Sequence, residues 1–384
     1  MNYIEKEYKD FSIKAQVSNF SVEGGITEYQ VMLAVTDPML SFAEQFLNLQ
    51  KAYSEVVRTL LLPDSVAVFR RYFLSDAANQ TDSVMAWECE QSLCALSVVE
   101  QAPMNGTKIA MWTYLQTSVT ASLHQNGMLE VSHSAYSHLW TGCTFNKAAN
   151  SEYQTRLILN DYILQLTERG CKLSENCVRT WFFVQNVDVN YAGVVKARKE
   201  VFATQNLTEK THYIASTGIE GRHASPQVLV EMDAYSVKGL VPGQIQYLYG
   251  RSHLNPTYEY GVTFERGTAV TYGDRKHVFI SGTASINNKG EILHPGDIRK
   301  QADRMLENVS VLLNEAGAGF GDIAMAIIYL RDTADAQLVR HLIDERFPGL
   351  PHLVVHAPVC RPGWLIEMEC FAILPASEPQ YYPL

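Results

Sequence analysis

Hydrophobic and polar positions change period several times after His277. The run His277-Val278-Phe279-Ile280 is mostly apolar and ends in Ser281-Gly282-Thr283-Ala284-Ser285, which predicts a strand. A helix is predicted next, from about Asp297 to Ala316, stopped by Gly317. A strand from Ala324 to Arg331, a second helix from about Ala334 to Arg346, and two short strands around Val354 and Ile366 complete the set. The last strand reads Leu365-Ile366-Glu367-Met368-Glu369-Cys370-Phe371-Ala372. Alternation along it puts Glu367 and Glu369 on one face and Ile366 and Met368 on the other.

The same order of elements recurs upstream. Setting Gln154 against Gln301 brings Leu159 to Leu306, Leu166 to Leu313, Glu168 to Glu315 and Gly170 to Gly317. The strand Arg179-Thr180-Trp181-Phe182-Phe183 then falls on Ala326 to Leu330. Leu139-Trp140-Thr141-Gly142 falls on Phe279 to Gly282, and Leu229 to Tyr235 on Leu365 to Phe371. A fainter copy sets Gln45 against Gln301 and Tyr72-Phe73-Leu74-Ser75-Asp76 against Ile328 to Asp332. In it, Lys108 to Tyr114 takes the closing-strand position, with Ala110 where the other copies carry Glu231 and Glu367.

The C-terminal copy resembles the Rid/YjgF family, which has the endoribonuclease L-PSP-like fold. The resemblance rests on the Ser-Gly-Thr opening, the Gln301 to Asn308 helix start and Asn314-Glu315-Ala316-Gly317. Tyr329-Leu330-Arg331-Asp332 and Ile366-Glu367-Met368-Glu369 complete it. It implies a small α/β unit that trimerises, with pockets between subunits. A sheet covered by helices on one side must bury its other face. Three tandem copies can do so within one chain, so the expected fold is α/β (α+β), with tandem Rid/YjgF-like units forming a pseudo-trimer. The expected divisions are a degenerate unit at 1–127, a second unit at 128–238, a Tyr/Gly/Pro-rich connecting loop at 239–266 and a third unit at 267–384. The aromatic residues of that loop, with Arg251 and Arg266, suit a pocket cover better than a plain linker.

Composition narrows the function classes. The 384 residues are 47% apolar and 19% charged, as in soluble globular proteins. No long apolar run predicts a membrane span, and the charged start lacks a secretory core, so a cytoplasmic location is expected. The seven cysteines include no Cys-x-x-Cys pair. A net charge of −10 argues against a nucleic-acid partner. It also means that a small anionic substrate would need local arginines.

The sharpest chemical pattern is Cys360-Arg361-x5-Glu367. An arginine fork can hold a carboxylate in a fixed orientation. A glutamate in a dry cleft can keep its proton near neutral pH and act as a general acid. Glu231, at the matching place, leaves open a repeated structural role. Cys360 reads as pocket wall, the alternative being a nucleophile paired with His352 or His356. Those two histidines lack the third ligand a metal site needs, so no metal is expected. Gly317, Gly319 and Gly321 read as a helix end and turn, not as a phosphate loop.

The wider pattern resembles the chorismatases, which carry Rid-like units in one chain. It comprises Tyr249-Gly250-Arg251, Thr263-Phe264-Glu265-Arg266, Val278 to Ile286, His294-Pro295-Gly296-Asp297, Gln301 and Cys360-Arg361-x5-Glu367. The resemblance implies cofactor-free cleavage of the enolpyruvyl ether of chorismate or a related small carboxylate. Glu367 would protonate the methylene, Arg361 and Arg251 would hold the carboxylates, and Tyr249, Arg266, Cys360 and Ala284 would line the substrate site. Where those enzymes carry a Gly-His pair, this chain has Asn287-Asn288-Lys289-Gly290. The alternatives are a Rid-type imine/enamine deaminase and a non-catalytic small-molecule binder. Leu350-Pro351-His352-Leu353 lacks the arginine of ordinary Rid members, so the first would need Arg222, Arg251 or Arg361 in its stead. The expected assembly is a monomer, or a homo-oligomer of pseudo-trimers.

Overall fold

The computed structural model, which describes residues 1–91 and 93–384, contains three six-stranded mixed sheets in succession along the chain. The first has β1 (Asn2–Tyr8), β2 (Ile13–Ser21), β3 (Thr27–Val35), β4 (Val66–Leu74), β5 (Ala95–Glu100) and β6 (Ile109–Gln116), in the order β1-β2-β3-β6-β4-β5. Helices α1 (Phe42–Leu60) and α2 (Ala77–Gln91) accompany it. The second has β7 (Thr120–Leu123), β8 (Leu129–His133), β9 (Tyr136–Phe145), β10 (Cys177–Val184), β11 (Ala215–Glu220) and β12 (Val230–Lys238), in the order β11-β10-β12-β9-β8-β7. Its helices are α3 (Ser151–Glu168), α4 (Leu173–Asn176) and α5 (Val187–Thr204). The third has β13 (Ile245–Leu248), β14 (Gly267–Thr271), β15 (Arg275–Ala284), β16 (Ile323–Leu330), β17 (His352–His356) and β18 (Ile366–Pro375), in the order β13-β14-β15-β18-β16-β17. Helices α6 (Ile298–Glu315) and α7 (Ala336–Arg346) belong to it.

In each unit the last long strand sits at the centre of the sheet, and one glutamine ties it to the first helix. All three glutamines are fully buried. Gln45 accepts from Lys108 N, Gln154 from Leu229 N and Gln301 from Leu365 N, at 2.7–2.9 Å. Their amide groups donate to loop carbonyls such as Leu40 O, Ala148 O and His294 O. Buried backbone groups need partners, and here one side chain supplies them at the same place three times.

The local signals act as expected in α6. Asp297 caps its start by accepting from Lys300 N. Ala302, Met305, Leu306, Val309, Leu312 and Leu313 form its buried stripe. Gly317 follows with a positive φ of 81°, which ends the helix.

The faces away from the helices are buried against one another. One apolar cluster takes Phe69 and Trp112 from the first unit, Trp140, Trp181 and Tyr235 from the second, and Phe279 and Phe371 from the third. Charged side chains cross the same junction. Arg71 pairs with Asp233 at 2.8 Å and Arg179 with Glu369 at 2.8 Å, and Trp181 Nε1 donates to Glu369 at 2.9 Å. Arg275 pairs with Glu28 at 2.7 Å. Such buried pairs add little net stability but are costly to break singly, so they disfavour other dockings of the units.

Three expectations need correction. The second sheet begins at Thr120, ahead of residue 128, because β7 and β8 pair as a hairpin. The segment 239–266 is not all loop, since Ile245–Leu248 forms β13 and pairs with β14. The sequence match between the second and third copies also slips by one residue in the strands. Phe183 faces Glu231 as Tyr329 faces Glu367, and Cys143, not Gly142, takes the place of Gly282. Both opening strands carry the bulge at the same place, so the shifted register holds on either side of it. Among the described residues, no helix is long and apolar enough to cross a membrane.

Candidate active site between the second and third units

Glu367 lies on β18 opposite Ala284 and Tyr329, beside the bulge that carries Gly282. It faces a cavity of about 480 Å³ between the second and third units. The third unit supplies Gly282, Ala284, Cys360, Arg361, Trp364 and the segment ending at Arg266. The second unit supplies Tyr191 and Arg198 from α5, and Ser216, Thr217 and Gly218 from β11.

Three guanidinium groups reach this cavity. Arg198, 1% exposed, donates to Thr263 Oγ1 at 3.1 Å and has an Nη2 without a partner. Arg266, 4% exposed, donates to Asn255 O at 3.0 Å and leaves Nε unpaired. Arg361 stacks over Tyr260 and Trp364 and makes one long contact, 3.5 Å, to Tyr260 O. None of the three has a carboxylate partner among the described residues. Arg198 and Arg266 are buried and Arg361 is half-buried; buried cations without counter-ions are costly, and a ligand with carboxylates would supply what they lack. The aromatic rings of Tyr191, Tyr260, Phe264 and Trp364 form apolar walls.

The acid is set apart from these cations in its chemistry. Burial raises the Glu367 carboxyl to about 8, and the charge of Glu369 adds to the rise. Arg179 and Arg266 pull the other way without cancelling it. Glu369 is held by Arg179 and Trp181 and accepts from the Thr217 hydroxyl; Thr217 Oγ1 in turn accepts from Gly282 N at 2.9 Å. Glu367 therefore carries a proton at neutral pH, in a cavity that otherwise favours anions. Burial pushes the Cys360 thiol up to about 12, so it is a neutral wall group and not a thiolate nucleophile.

The structure brings Glu367, Arg361, Arg266, Cys360 and Ala284 together around one cavity. It does not bring Tyr249 and Arg251 there. These two stack on each other and line a separate, smaller cavity of about 160 Å³. The turn at Gly250, pinned by Glu315 Oε2 through Tyr249 N and Gly250 N, directs them away. Arg251 is thus corrected as a carboxylate holder in the main cavity, and Tyr249 as its lining. Arg198, Tyr191 and Trp364 were not singled out from the sequence. His352 and His356 stand on β17, outside the main cavity, and no metal-binding cluster occurs among the described residues.

The other two junctions differ. Between the first and second units Glu231 is 1% exposed and rests beside the Cys143 thiol. The Leu96 carbonyl lies where a Cβ on Gly142 would come within 2.2 Å, so β5 closes over the junction. Between the third and first units the position of the acid is Ala110, and a cavity of about 80 Å³ remains.

Tandem α/β units with a charged cavity at one junction define the class: a multi-unit chain of the endoribonuclease L-PSP fold. Residues 267–374 match the family model described as Endoribonuclease L-PSP. Over 98 residues the chain is 35% identical to a RutC family protein of Pyrococcus abyssi, covering 25% of this chain and 76% of that one. Over 97 residues it is 29% identical to the 3-aminoacrylate deaminase RutC of Acinetobacter baylyi, covering 25% and 77%. A chorismatase crystal structure superposes with a TM-score of 0.64 at 15% identity, covering 80% of this chain and 93% of that one. The chain belongs to the RutC family, within the Rid/YjgF superfamily, and its overall fold is similar to that of the chorismatase.

Proposed function

We propose that the chain is a hydrolase or lyase that cleaves the enolpyruvyl ether of chorismate or a related small dicarboxylate, with Glu367 as general acid. The observation that carries this reading is a proton-holding carboxyl among three guanidinium groups that have no carboxylate of their own. A volume near 480 Å³ lies within the range of small-molecule sites. The similarity of fold to a chorismatase supports the same substrate class.

The enol ether is electron-rich at its terminal methylene. Glu367 gives its proton to that carbon, and the π pair forms the new C–H bond. The resulting oxocarbenium ion is offset by the substrate's carboxylates, which Arg361, Arg198 and Arg266 hold. Water, or the ring itself, captures the cation. With water, the hemiketal loses its ring alcohol, the ether C–O bond breaks, pyruvate leaves and a proton returns to the Glu367 carboxylate. General acid catalysis of this kind contributes about 10²–10⁴-fold.

Chorismate, isochorismate and small keto acids form the test panel, with binding measured by calorimetry and pyruvate release followed in parallel. Turnover of an enolpyruvyl ether is the expected result. Binding without turnover would make the chain a binder.

A further inference from the structure

Arg266 borders two cavities. Beyond it, away from Glu367, lies the smaller one of about 160 Å³ lined by Arg251, Tyr249, Glu265, Tyr213 and Asn255. The backbone of the turn that carries Tyr249 and Arg251 is fixed. Glu315 pins the backbone of Tyr249 and Gly250, and His253 N and Leu254 N close the turn on Gly250 O at 2.8 Å. Tyr213 N donates to Glu265 Oε1 at 2.7 Å. Arg251, exposed to solvent, lies over the Tyr249 ring at 5.0 Å and makes no ion pair among the described residues, though its charge acts on Glu265. Burial raises the Glu265 carboxyl to about 7, so a large share of it is protonated at neutral pH and can donate a hydrogen bond to an anion.

We propose that this second cavity binds a small 2-keto monocarboxylate of pyruvate's size, its carboxylate on Arg251 and its keto oxygen toward Glu265. The volume of about 160 Å³ is a third of that of the main cavity and suits a six-heavy-atom acid. Resting on the enol-ether reading, the assignment gives the cavity a use: the three-carbon acid leaves past Arg266 while the ring product stays on the larger side. The shared guanidinium also couples the sites. An anion held beside Arg266 on one side weakens that residue's pull on a carboxylate on the other, so the keto acid from solution opposes binding in the main cavity.

The test titrates pyruvate into the full chain and into the variants Arg251→Met and Arg361→Met. The proposal expects Arg251→Met to weaken pyruvate binding about tenfold or more, the loss typical of a charge-assisted pair, and Arg361→Met to leave it nearly unchanged. Loss with Arg361→Met and not with Arg251→Met would put pyruvate in the main cavity and overturn the assignment, as would no binding to the unaltered chain. These readings need no turnover. An Arg251-dependent site in a chain that does not cleave chorismate would sink the enol-ether reading and leave this one standing. Where chorismate is turned over, inhibition by added pyruvate is expected to be relieved in Arg251→Met.

Discussion

The carboxylate of Glu367 lies over the α-carbon of Gly282, so close that a Cβ at position 282 would come within 2.1 Å of Oε1. Glycine there makes room for the acid. Gly282→Ala is expected to force the carboxylate out of place and to remove most of the roughly 10²–10⁴-fold due to a general acid. Pyruvate release would show it, alongside a circular dichroism spectrum that stays native. Full activity in Gly282→Ala would mean that the carboxylate is not required in that position.

Glu367→Gln keeps size and shape but has no transferable proton. Turnover is expected to fall by a factor within the same range of about 10²–10⁴ while substrate binding changes little. Glu231→Gln, the matched change at the closed junction, is expected to leave the rate nearly intact. Equal loss in both variants, or in neither, would remove Glu367 from the chemistry.

The pH dependence has a definite sign. With its carboxyl raised to about 8, Glu367 is expected to give a rate that is level at neutral pH and falls as pH rises through about 8. An ordinary carboxyl near 4.5 would lose its proton long before that. The same shift at Glu231, from 4.5 to about 8, affects stability. The folded state keeps a proton that the unfolded state gives up above 4.5. Stability from this group is therefore full below about 4.5, declines as pH rises toward about 8, and is level beyond it. Denaturant melts across that window are expected to show a shallower decline for Glu231→Gln than for the unaltered chain.

Among the described residues Arg361 makes one long hydrogen bond, besides lying over the rings of Tyr260 and Trp364. Arg361→Met is therefore expected to cost little stability. A lost charge-assisted pair with substrate is worth roughly 1.5–3 kcal/mol, or about ten- to a hundredfold in kcat/KM, expressed mainly in KM. Steady-state kinetics on chorismate with a parallel thermal melt separates the two effects. An unchanged KM would exclude Arg361 from substrate binding.

Gln154 bonds Ala148 O, Gln227 O, Leu229 N and Val230 N. Gln154→Leu preserves bulk but orphans these buried groups, each worth roughly 1–3 kcal/mol when left unmet. A clear fall in the denaturant midpoint is expected. A stability equal to the unaltered chain would show that water replaces the side chain at no cost.

Much of this was legible in residue order. The three glutamines, the alternation of the closing strand and the Arg361-x5-Glu367 spacing lie within single elements, where the period of side chains shows the face. Arg198 was harder, because its place at the site depends on how α5 docks against another unit. A trace was there: it sits among Val194, Ala197, Val201 and Phe202 on the buried stripe of α5, an arginine on an apolar face. The strand β13 hid among glycines, prolines and tyrosines that read as loop. Arg251 misled because nearness in sequence to Arg266 says nothing about the turn at Gly250 that sends it the other way.

The three junctions differ at two places, Gly282 against Cys143 and Glu367 against Ala110, and they can differ because each is encoded separately. In a ring of identical chains, a codon change to cysteine would fill every cleft at once and a change to alanine would strip every acid. Here the cost of burying the Glu231 acid beside a thiol, or the loss of the acid at Ala110, stays local. Among the described residues, one junction is left open as a cavity of about 480 Å³, and the two remaining junctions are free to serve as masonry.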